Sequence, residues 1–206
     1  MTNTSRALVR ALAAGALALS VAAAAVPAHA TGSGTVQDSR PAIAALSTAQ
    51  RGELQKQVEQ QIKASKVSAT QTAANEITYA DGTVMSFPLP GQGAAPAYSK
   101  TPTASLASDW YGCPDGWYCF YADAGMLGRR LQFSYVYDTT PVDFNNYGFR
   151  DQTTSWVDNT NWAHIVVDND AGGGNWQLLW TESSRTLSSN VGWANDSADR
   201  FWSIRE

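Results

Sequence analysis

The chain has 206 residues, 44% of them hydrophobic and 11% aromatic, enough for one domain or two small ones. Its formal net charge of −4 argues against a nucleic-acid-binding protein, because such proteins neutralise phosphates with basic side chains. An acidic balance is compatible with calcium binding, or simply with solubility.

Residues 1–30 have the pattern of a secretory signal peptide. Arg6 and Arg10 precede an apolar run, and Ala28-His29-Ala30 is a small-residue cleavage site. The run is shorter than the roughly 20 residues that span a bilayer, which disfavours a transmembrane anchor. We therefore predict a secreted, extracellular protein that does not bind membranes and that begins at Thr31 with a net charge of −6.

Residues 31–87 are predicted to form an N-terminal extension that contains one helix and one β-hairpin. Ser47 and Gln50 have the spacing of a capping box, which predicts a helix over about 47–66. Its stripe of three apolar residues is narrow. A surface helix is therefore favoured over one that docks on a partner or on the downstream domain.

The hairpin of the extension is predicted over about 76–87. Asp81-Gly82 separates two strand-like runs and favours a type I′ turn, in which both central residues have positive φ. A lone hairpin is marginal in water, so we expect it to pack on the helix. Residues 88–108 carry four prolines among Ala, Gly and Ser, and are predicted to be a partly extended linker.

Residues 109–206 are predicted to form an all-β domain. They contain all eight tryptophans, six of the eight tyrosines and five of the six phenylalanines, which indicates an aromatic core. Six strand-like runs are separated by turn residues, a pattern typical of a β-sandwich. These runs are Trp117–Tyr121, Arg130–Tyr137, Ser155–Asn159, Trp162–Val167, Trp176–Trp180 and Phe201–Arg205.

This domain repeats itself with a period of about 45 residues. Phe120–Gly128 aligns with Val166–Gly174, and Gly148–Trp156 aligns with Gly192–Phe201 after one insertion. Each half therefore consists of a folded hairpin, a longer connection and a closing strand. That order predicts two Greek keys.

Cys113 and Cys119 are the only cysteines, and they enclose a Pro-Asp-Gly turn. An exported chain meets an oxidising compartment, so the two are expected to form a structural disulfide. So short a ring is worth roughly 2–2.5 kcal/mol in the loop-entropy account. A redox or metal-binding pair is disfavoured, because the C-x-x-C spacing and further ligands are missing.

The domain resembles the secreted bacterial peptidase inhibitors built on a βγ-crystallin-like fold. The resemblance is carried by the repeat, the segment Cys113–Cys119, the pair Phe120-Tyr121 and the run Gly128-Arg129-Arg130. The resemblance covers residues 109–206 and implies a two-Greek-key sandwich. It also implies an inhibitor whose partner is an extracellular, thermolysin-like metalloproteinase. We expect the inhibitor to be a monomer.

The resemblance also implies where the inhibitory contacts lie. By its position after the second hairpin, the family's reactive segment corresponds to Leu179–Arg185. We expect this segment to form an exposed loop that makes the inhibitory contacts. The predicted inhibitory residues are Leu179, Trp180, Thr181 and Glu182. The family's reference inhibitor stiffens this loop with a second disulfide. No cysteine is available here to form that second disulfide. The loop is therefore expected to lack a brace, and the Cys113–Cys119 disulfide is not expected to supply one.

Enzymatic activity is not predicted. After signal cleavage one histidine remains, His164, and a histidine within a strand is more often structural than catalytic. No second histidine or free thiol is available for a zinc site, and no serine motif flanks a nucleophile. No catalytic residue and no cofactor other than calcium is predicted.

Calcium binding, or a purely structural role, is the alternative function. The crystallin-type calcium motif would pair Asp196 with Thr154 in one site and Asp151 with Asp199 in another. Neighbouring arginines can form ion pairs with the same carboxylates instead.

A third possibility is a glycan- or peptide-binding module. Trp176, Trp180 and Trp193 lie near predicted turns, where they can form a surface. At least half of the eight tryptophans are nevertheless expected in the core.

Overall fold

The computed structural model describes residues 39–97 and 109–205. The predicted signal peptide and residues 98–108 of the predicted linker lie outside the described residues. The helices are α1 (Ser39–Ala44) and α2 (Thr48–Ala64), with 3-10 turns at Phe144–Tyr147 and Gly192–Ala194. The strands are β1 (Ala69–Ala73), β2 (Glu76–Tyr79), β3 (Val84–Ser86), β4 (Tyr118–Asp123), β5 (Leu127–Phe133), β6 (Tyr137–Asp143), β7 (Ser155–Asp158), β8 (Ala163–Asp170), β9 (Trp176–Glu182), β10 (Thr186–Ser188) and β11 (Arg200–Arg205). Within these ranges no helix is long and apolar enough to cross a membrane.

Helix α2 begins with the predicted capping box. The Ser47 side chain accepts from the Gln50 N–H at 3.2 Å, and the Gln50 side chain accepts from the Ser47 N–H at 2.9 Å. The expectation of a surface helix is wrong, because Leu54 and Val58 are buried in the main core. Gln61 is also buried and donates to the carbonyl of Tyr147 at 2.5 Å. A polar residue thus widens the docked face beyond the apolar stripe.

The predicted hairpin is present as β2 and β3, with β1 added along β2. Its turn is not of type I′. Gly82 has a positive φ of 87°, whereas Asp81 does not. The Gly82 N–H donates to the carbonyl of Tyr79 at 2.9 Å, and the Asp81 side chain accepts from the Thr83 N–H at 3.0 Å. The loop is therefore a longer one in which glycine supplies the single left-handed residue.

Two antiparallel sheets make up the β structure. The first has the strand order β1-β2-β3-β5-β4-β7-β10 and the second β6-β11-β8-β9. Strand β6 belongs to the first half of the repeat but lies in the second sheet, and β10 of the second half lies in the first sheet. This exchange of third strands is the pattern of two interlocked Greek keys, so the predicted fold is confirmed.

Five predicted runs correspond closely to strands β4, β7, β8, β9 and β11. The run Arg130–Tyr137 does not form one strand, because β5 ends at Phe133 and β6 begins at Tyr137. Strands β6 and β10 were not predicted. They are polar or only three residues long, and their pairing comes from strands of the opposite half.

Aromatic side chains from both sheets meet in the core. The ring centroids of Phe133 and Phe201 are 4.7 Å apart, and those of Phe120 and Phe144 are 4.9 Å apart. Such contacts add roughly 0.5–1.5 kcal/mol each beyond the burial of their area. All four rings are fully buried.

The extension continues the first sheet, because β3 pairs with β5 along Val84, Met85 and Ser86. Arg130 of β5 is fully buried and ties the following segment to the same sheet. Its guanidinium donates to the carbonyls of Ala95 at 3.3 Å and Pro96 at 2.9 Å. The described part of the predicted linker, residues 88–97, therefore contacts the all-β unit.

Candidate functional site

The disulfide ring, residues 113–119, is the first component of the candidate site. Cys113 and Cys119 are bonded as predicted, with their Cα atoms 5.9 Å apart, and both are buried. Gly116 has a φ of 79°, and the Trp117 N–H donates to the Pro114 carbonyl at 3.1 Å. The ring is therefore closed by a tight turn as well as by sulfur.

Asn159, just after β7, holds this ring. Its side chain donates to the Cys113 carbonyl at 2.9 Å, and its own carbonyl accepts from the Gly116 N–H at 2.9 Å. Its N–H donates to the Trp117 carbonyl, also at 2.9 Å. Asn159 is 1% exposed, so these bonds form away from water, where polar groups need partners.

The four predicted inhibitory residues, Leu179, Trp180, Thr181 and Glu182, do not lie in a loop. They form the second half of β9 and pair with β8 through Trp180–Val167, Thr181–Val166 and Glu182–Ile165. The pairing shifts register at Leu179, which indicates a bulge. Trp and Thr favour strands, and paired Val and Ile residues explain why this stretch remains extended.

Strand β9 is the outermost strand of the second sheet among the described residues. Thr181 is exposed and Trp180 is half-buried, whereas Leu179 and Glu182 are buried. At its start Trp176 and Leu178 are 42% and 54% exposed. The strand therefore presents apolar side chains beside an open backbone edge.

Trp176 is held in place by a cation on β11, which lies on the far side of β8 in the same sheet. The Arg200 guanidinium lies 3.3 Å from the Trp176 ring centroid, close enough for a cation–π interaction. The same guanidinium forms an ion pair with Asp168 at 3.2 Å. The start of β9 is thus fixed by its neighbours.

Glu182 is a fully buried carboxyl at the end of β9. The Trp180 indole donates to one of its oxygens at 2.8 Å, and the other oxygen has no hydrogen-bond partner within the described ranges. Burial raises the pKa of Glu182 well above its ordinary value, the Trp180 bond opposes that rise, and the Asp158 charge adds to it. The carboxyl therefore favours its neutral form.

The short turn between β9 and β10, residues 183–185, connects back to the disulfide ring. The Ser184 hydroxyl donates to the Ala163 carbonyl at 2.8 Å. The Arg185 guanidinium donates to Asn159 and to Asp115, both at 2.5 Å. The expectation that the disulfide leaves this segment without a brace is wrong, because an arginine makes the link.

The four predicted calcium ligands, Asp151, Thr154, Asp196 and Asp199, lie in two turns that mirror each other. Asp151 and Asp196 have φ values of 55° and 54°. The Asp151 N–H donates to the Ala198 carbonyl at 3.0 Å, and the Asp196 N–H donates to the Thr153 carbonyl at 3.3 Å. The repeat is therefore also visible in the backbone.

The side chains of these turns already have protein partners. Arg150 forms ion pairs with Asp199 and with Asp151, the latter at 3.7 Å. The Thr154 hydroxyl donates to the Ala122 carbonyl at 2.9 Å. No group of three or more His, Cys, Asp or Glu residues in the described ranges could hold a metal ion. Calcium binding remains a prediction, and these contacts fit the ion-paired alternative better than a cation site.

Most of the tryptophans lie at the boundary of the core. Among the eight, Trp156 is buried, Trp176 and Trp193 are exposed, and five are half-buried. Trp156 lies in the main core, and the rings that pack against the two core clusters are Trp110, Trp117, Trp162 and Trp180. The expectation that at least half belong to the core therefore holds when these half-buried rings are counted. A large ring with a polar N–H is more easily placed at the boundary of a core than at its centre.

Residues 107–179 match a family described as peptidase inhibitor family I36. The resemblance to a peptidase-inhibitor family is confirmed over this segment. The match spans the disulfide ring and β4 to the middle of β9, and it ends before Trp180. Because the matched family is one of inhibitors, it also favours a non-enzymatic role with a peptidase as partner.

A solved structure described as "Evolution of the eye lens beta-gamma-crystallin domain fold" is similar to part of the chain. The identity is 17% and the TM-score is 0.36, over 46% of this chain and 91% of that chain. No curated protein matches the chain.

Proposed function

We propose that this protein is a secreted inhibitor that blocks a thermolysin-like metalloproteinase with the end of β9 and the turn that follows it. The observation that carries the proposal is the match of residues 107–179 to a peptidase-inhibitor family. The thermolysin-like target follows from the family resemblance. Export is supported by the signal-like pattern of residues 1–30 and by the disulfide, which forms in oxidising compartments.

The two sheets support β9 as the contact strand. From one edge inward, the first sheet without its extension reads β5-β4-β7-β10, and the second reads β9-β8-β11-β6. Strands β5 and β9 are therefore equivalent. Strand β3 pairs with β5, whereas no strand in the described ranges pairs with the outer edge of β9. An extended segment of a partner can add to such an edge through backbone hydrogen bonds.

The other sheet edges carry features that discourage strand addition. Strand β6 contains Pro141 and the exposed residues Asp138 and Thr140. Strand β10 has three residues, and β1 is short and polar. Strand β9 has seven residues with neither proline nor lysine, so its edge is left open for pairing.

Inhibition also requires that the contact segment resist cleavage. A segment that is already ordered loses little conformational entropy when it docks, which favours tight binding. The pairing of β9 with β8 and the contacts of the turn at 183–185 supply that order. These features favour inhibition over simple digestion.

The proposal is tested with the chain that begins at Thr31 and a thermolysin-like peptidase. Activity should fall in proportion to added protein, and Thr181→Ala should weaken inhibition by about tenfold if Thr181 is a contact residue. Thr140→Ala is the matched control, because Thr140 is an exposed threonine on the opposite edge of the same sheet. Digestion of the protein without a lag would overturn the inhibitor function. Equal inhibition by both variants would overturn the assignment to β9.

A further inference from the structure

The turn between β9 and β10 contains one residue in an unfavourable backbone conformation. Arg185 has a φ of 59°, in the left-handed region that favours glycine. A non-glycine residue persists there only when its surroundings stabilise it. Arg185 has such surroundings, because its two terminal nitrogens contact different partners, Asn159 and Asp115.

Both partners belong to one rigid unit. Asp115 lies inside the disulfide ring, 70 residues before Arg185 in sequence. Asn159 is bonded to the Cys113 carbonyl and the Gly116 N–H of the same ring. The forked guanidinium therefore contacts the ring directly through Asp115 and indirectly through Asn159, a geometry that a lysine ammonium does not reproduce.

These contacts are expected to affect local order more than global stability. The side chains of Arg185 and Asp115 are 45% and 51% exposed, and exposed ion pairs contribute little to the free energy of unfolding. The turn nevertheless immediately follows the strand that would contact a peptidase. Local opening of such a turn can differ widely from global unfolding in its free energy.

We propose that Arg185 is a positioning residue that fixes the turn 183–185, and with it the end of β9, to the disulfide ring. The functional consequence of this inference rests on the proposed inhibitory function. That consequence is that the segment stays bound as an inhibitor and is not cleaved as a substrate. The disulfide ring thereby restrains a segment to which it is not covalently attached.

Arg185→Ala, Arg185→Gly and Arg185→Lys test the role of the guanidinium in the full mature chain. Glycine tolerates the positive φ, so Arg185→Gly removes the side chain while relieving the backbone. In Arg185→Ala and Arg185→Gly, we expect cleavage between residues 179 and 186 by the peptidase to accelerate by about tenfold or more, with little change in Tm. Arg185→Lys should give an intermediate rate, because it keeps the charge but loses the fork.

A double-mutant cycle identifies the partner. Asp115→Ala should reproduce part of the Arg185→Ala effect, and the double variant should cleave no faster than Arg185→Ala alone, because coupled residues are not additive. Lys56→Ala is the control, since Lys56 forms an exposed ion pair with Glu53 at 3.9 Å on α2. Additive effects of Asp115→Ala and Arg185→Ala would overturn the coupling. Cleavage that rises only in step with a falling Tm would overturn the positioning role.

Hydrogen exchange separates this inference from the inhibitory function. Amides of residues 181–186 should exchange faster in Arg185→Ala and Arg185→Gly than in the parent, whether or not any peptidase is inhibited. If the variants exchange faster but the parent does not inhibit the peptidase, the proposed function is contradicted and the positioning role of Arg185 is supported. If the parent inhibits the peptidase but both variants show unchanged exchange and cleavage, only the positioning role of Arg185 is contradicted.

Discussion

The hairpins β4–β5 and β8–β9 occupy equivalent places in the two sheets, but their surroundings differ. Strands β4 and β5 lie between β3 and β7, and β5 is buried except for its first residues. Strand β9 has an open edge, and its first three residues are exposed. The same hairpin plan is therefore enclosed within the sheet in one half, and in the other it leaves an open strand edge, which is the proposed peptidase contact.

The difference originates in the N-terminal extension and not in the repeat itself. The extension supplies β3, which covers the edge of β5, and α2, which buries Leu54 and Val58 in the shared core. No comparable segment covers β9 within the described ranges. One half of a symmetric fold is thus specialised by an added element outside the repeat.

The largest expected effect is a loss of core packing in the enclosed hairpin. Phe133→Ala should lower the free energy of unfolding by about 3–5 kcal/mol, because a fully buried ring is removed. Leu178→Ala in the open hairpin should change it by less than about 0.5 kcal/mol, since Leu178 is 54% exposed. Denaturant unfolding of both variants measures the contrast. Similar losses of unfolding free energy in both variants would show that β9 is packed as tightly as β5.

A second prediction concerns the contact between the extension and β5. Arg130→Ala should destabilise the protein by about 2–4 kcal/mol, because the carbonyls of buried Ala95 and half-buried Pro96 lose their donor. Amides of β3 should then exchange faster than those of β8. Equal acceleration in both strands would show that Arg130 supports the whole fold and not the junction with the extension.

The third prediction uses the buried carboxyl at the end of β9. The pKa of Glu182 is raised in the folded protein, mainly by burial, so its contribution to stability is complete below its unfolded value. That contribution is lost as pH rises from the unfolded pKa through the raised folded pKa. Glu182→Gln cannot ionise, so its Tm should depend less on pH and should equal or exceed that of the parent at pH 8.

Glu53→Gln provides the control for this pH series, because Glu53 lies on the exposed face of α2. Its Tm should follow the parent at every pH. If Glu182→Gln retained the full pH dependence of the parent, another group would have to be responsible.

The smallest expected effect concerns calcium at the mirrored turns. Millimolar calcium should raise the Tm by no more than about 2 °C, because Arg150 already neutralises Asp199 and Asp151. Arg150→Ala should enlarge the rise by freeing Asp151 and Asp199, and adding Asp151→Ala should cancel that enlargement if the site predicted for these two carboxylates exists. Any rise from the other predicted site should be lost in Asp196→Ala. A large rise in the parent would show that the cation competes successfully with the arginine.

Local signals predicted much of this structure. The capping box at Ser47 and Gln50 and the pairing of Cys113 with Cys119 depend on residues close in sequence, and both are present. The aromatic runs and the repeat likewise predicted the Greek-key sandwich. The interacting residues of the first two features lie close together in sequence, and the pattern of the sandwich occurs twice in the chain.

Long-range polar contacts could not be predicted in this way. The Arg185–Asp115 link joins residues 70 positions apart, and nothing in the composition of the turn indicates it. The docking of α2 was missed because the polar residue Gln61 forms part of its buried face. Strands β6 and β10 were missed because their partners lie in the opposite half.

The exchange of β6 and β10 between the sheets has a consequence for folding. Each half completes the sheet of the other, so neither Greek key has its full set of strands until distant parts of the chain have met. Such non-local pairing slows folding, because loop-closure entropy is lost before the contacts that offset it are formed. We therefore expect the two halves to fold and unfold as one cooperative unit, without a stable half-folded state.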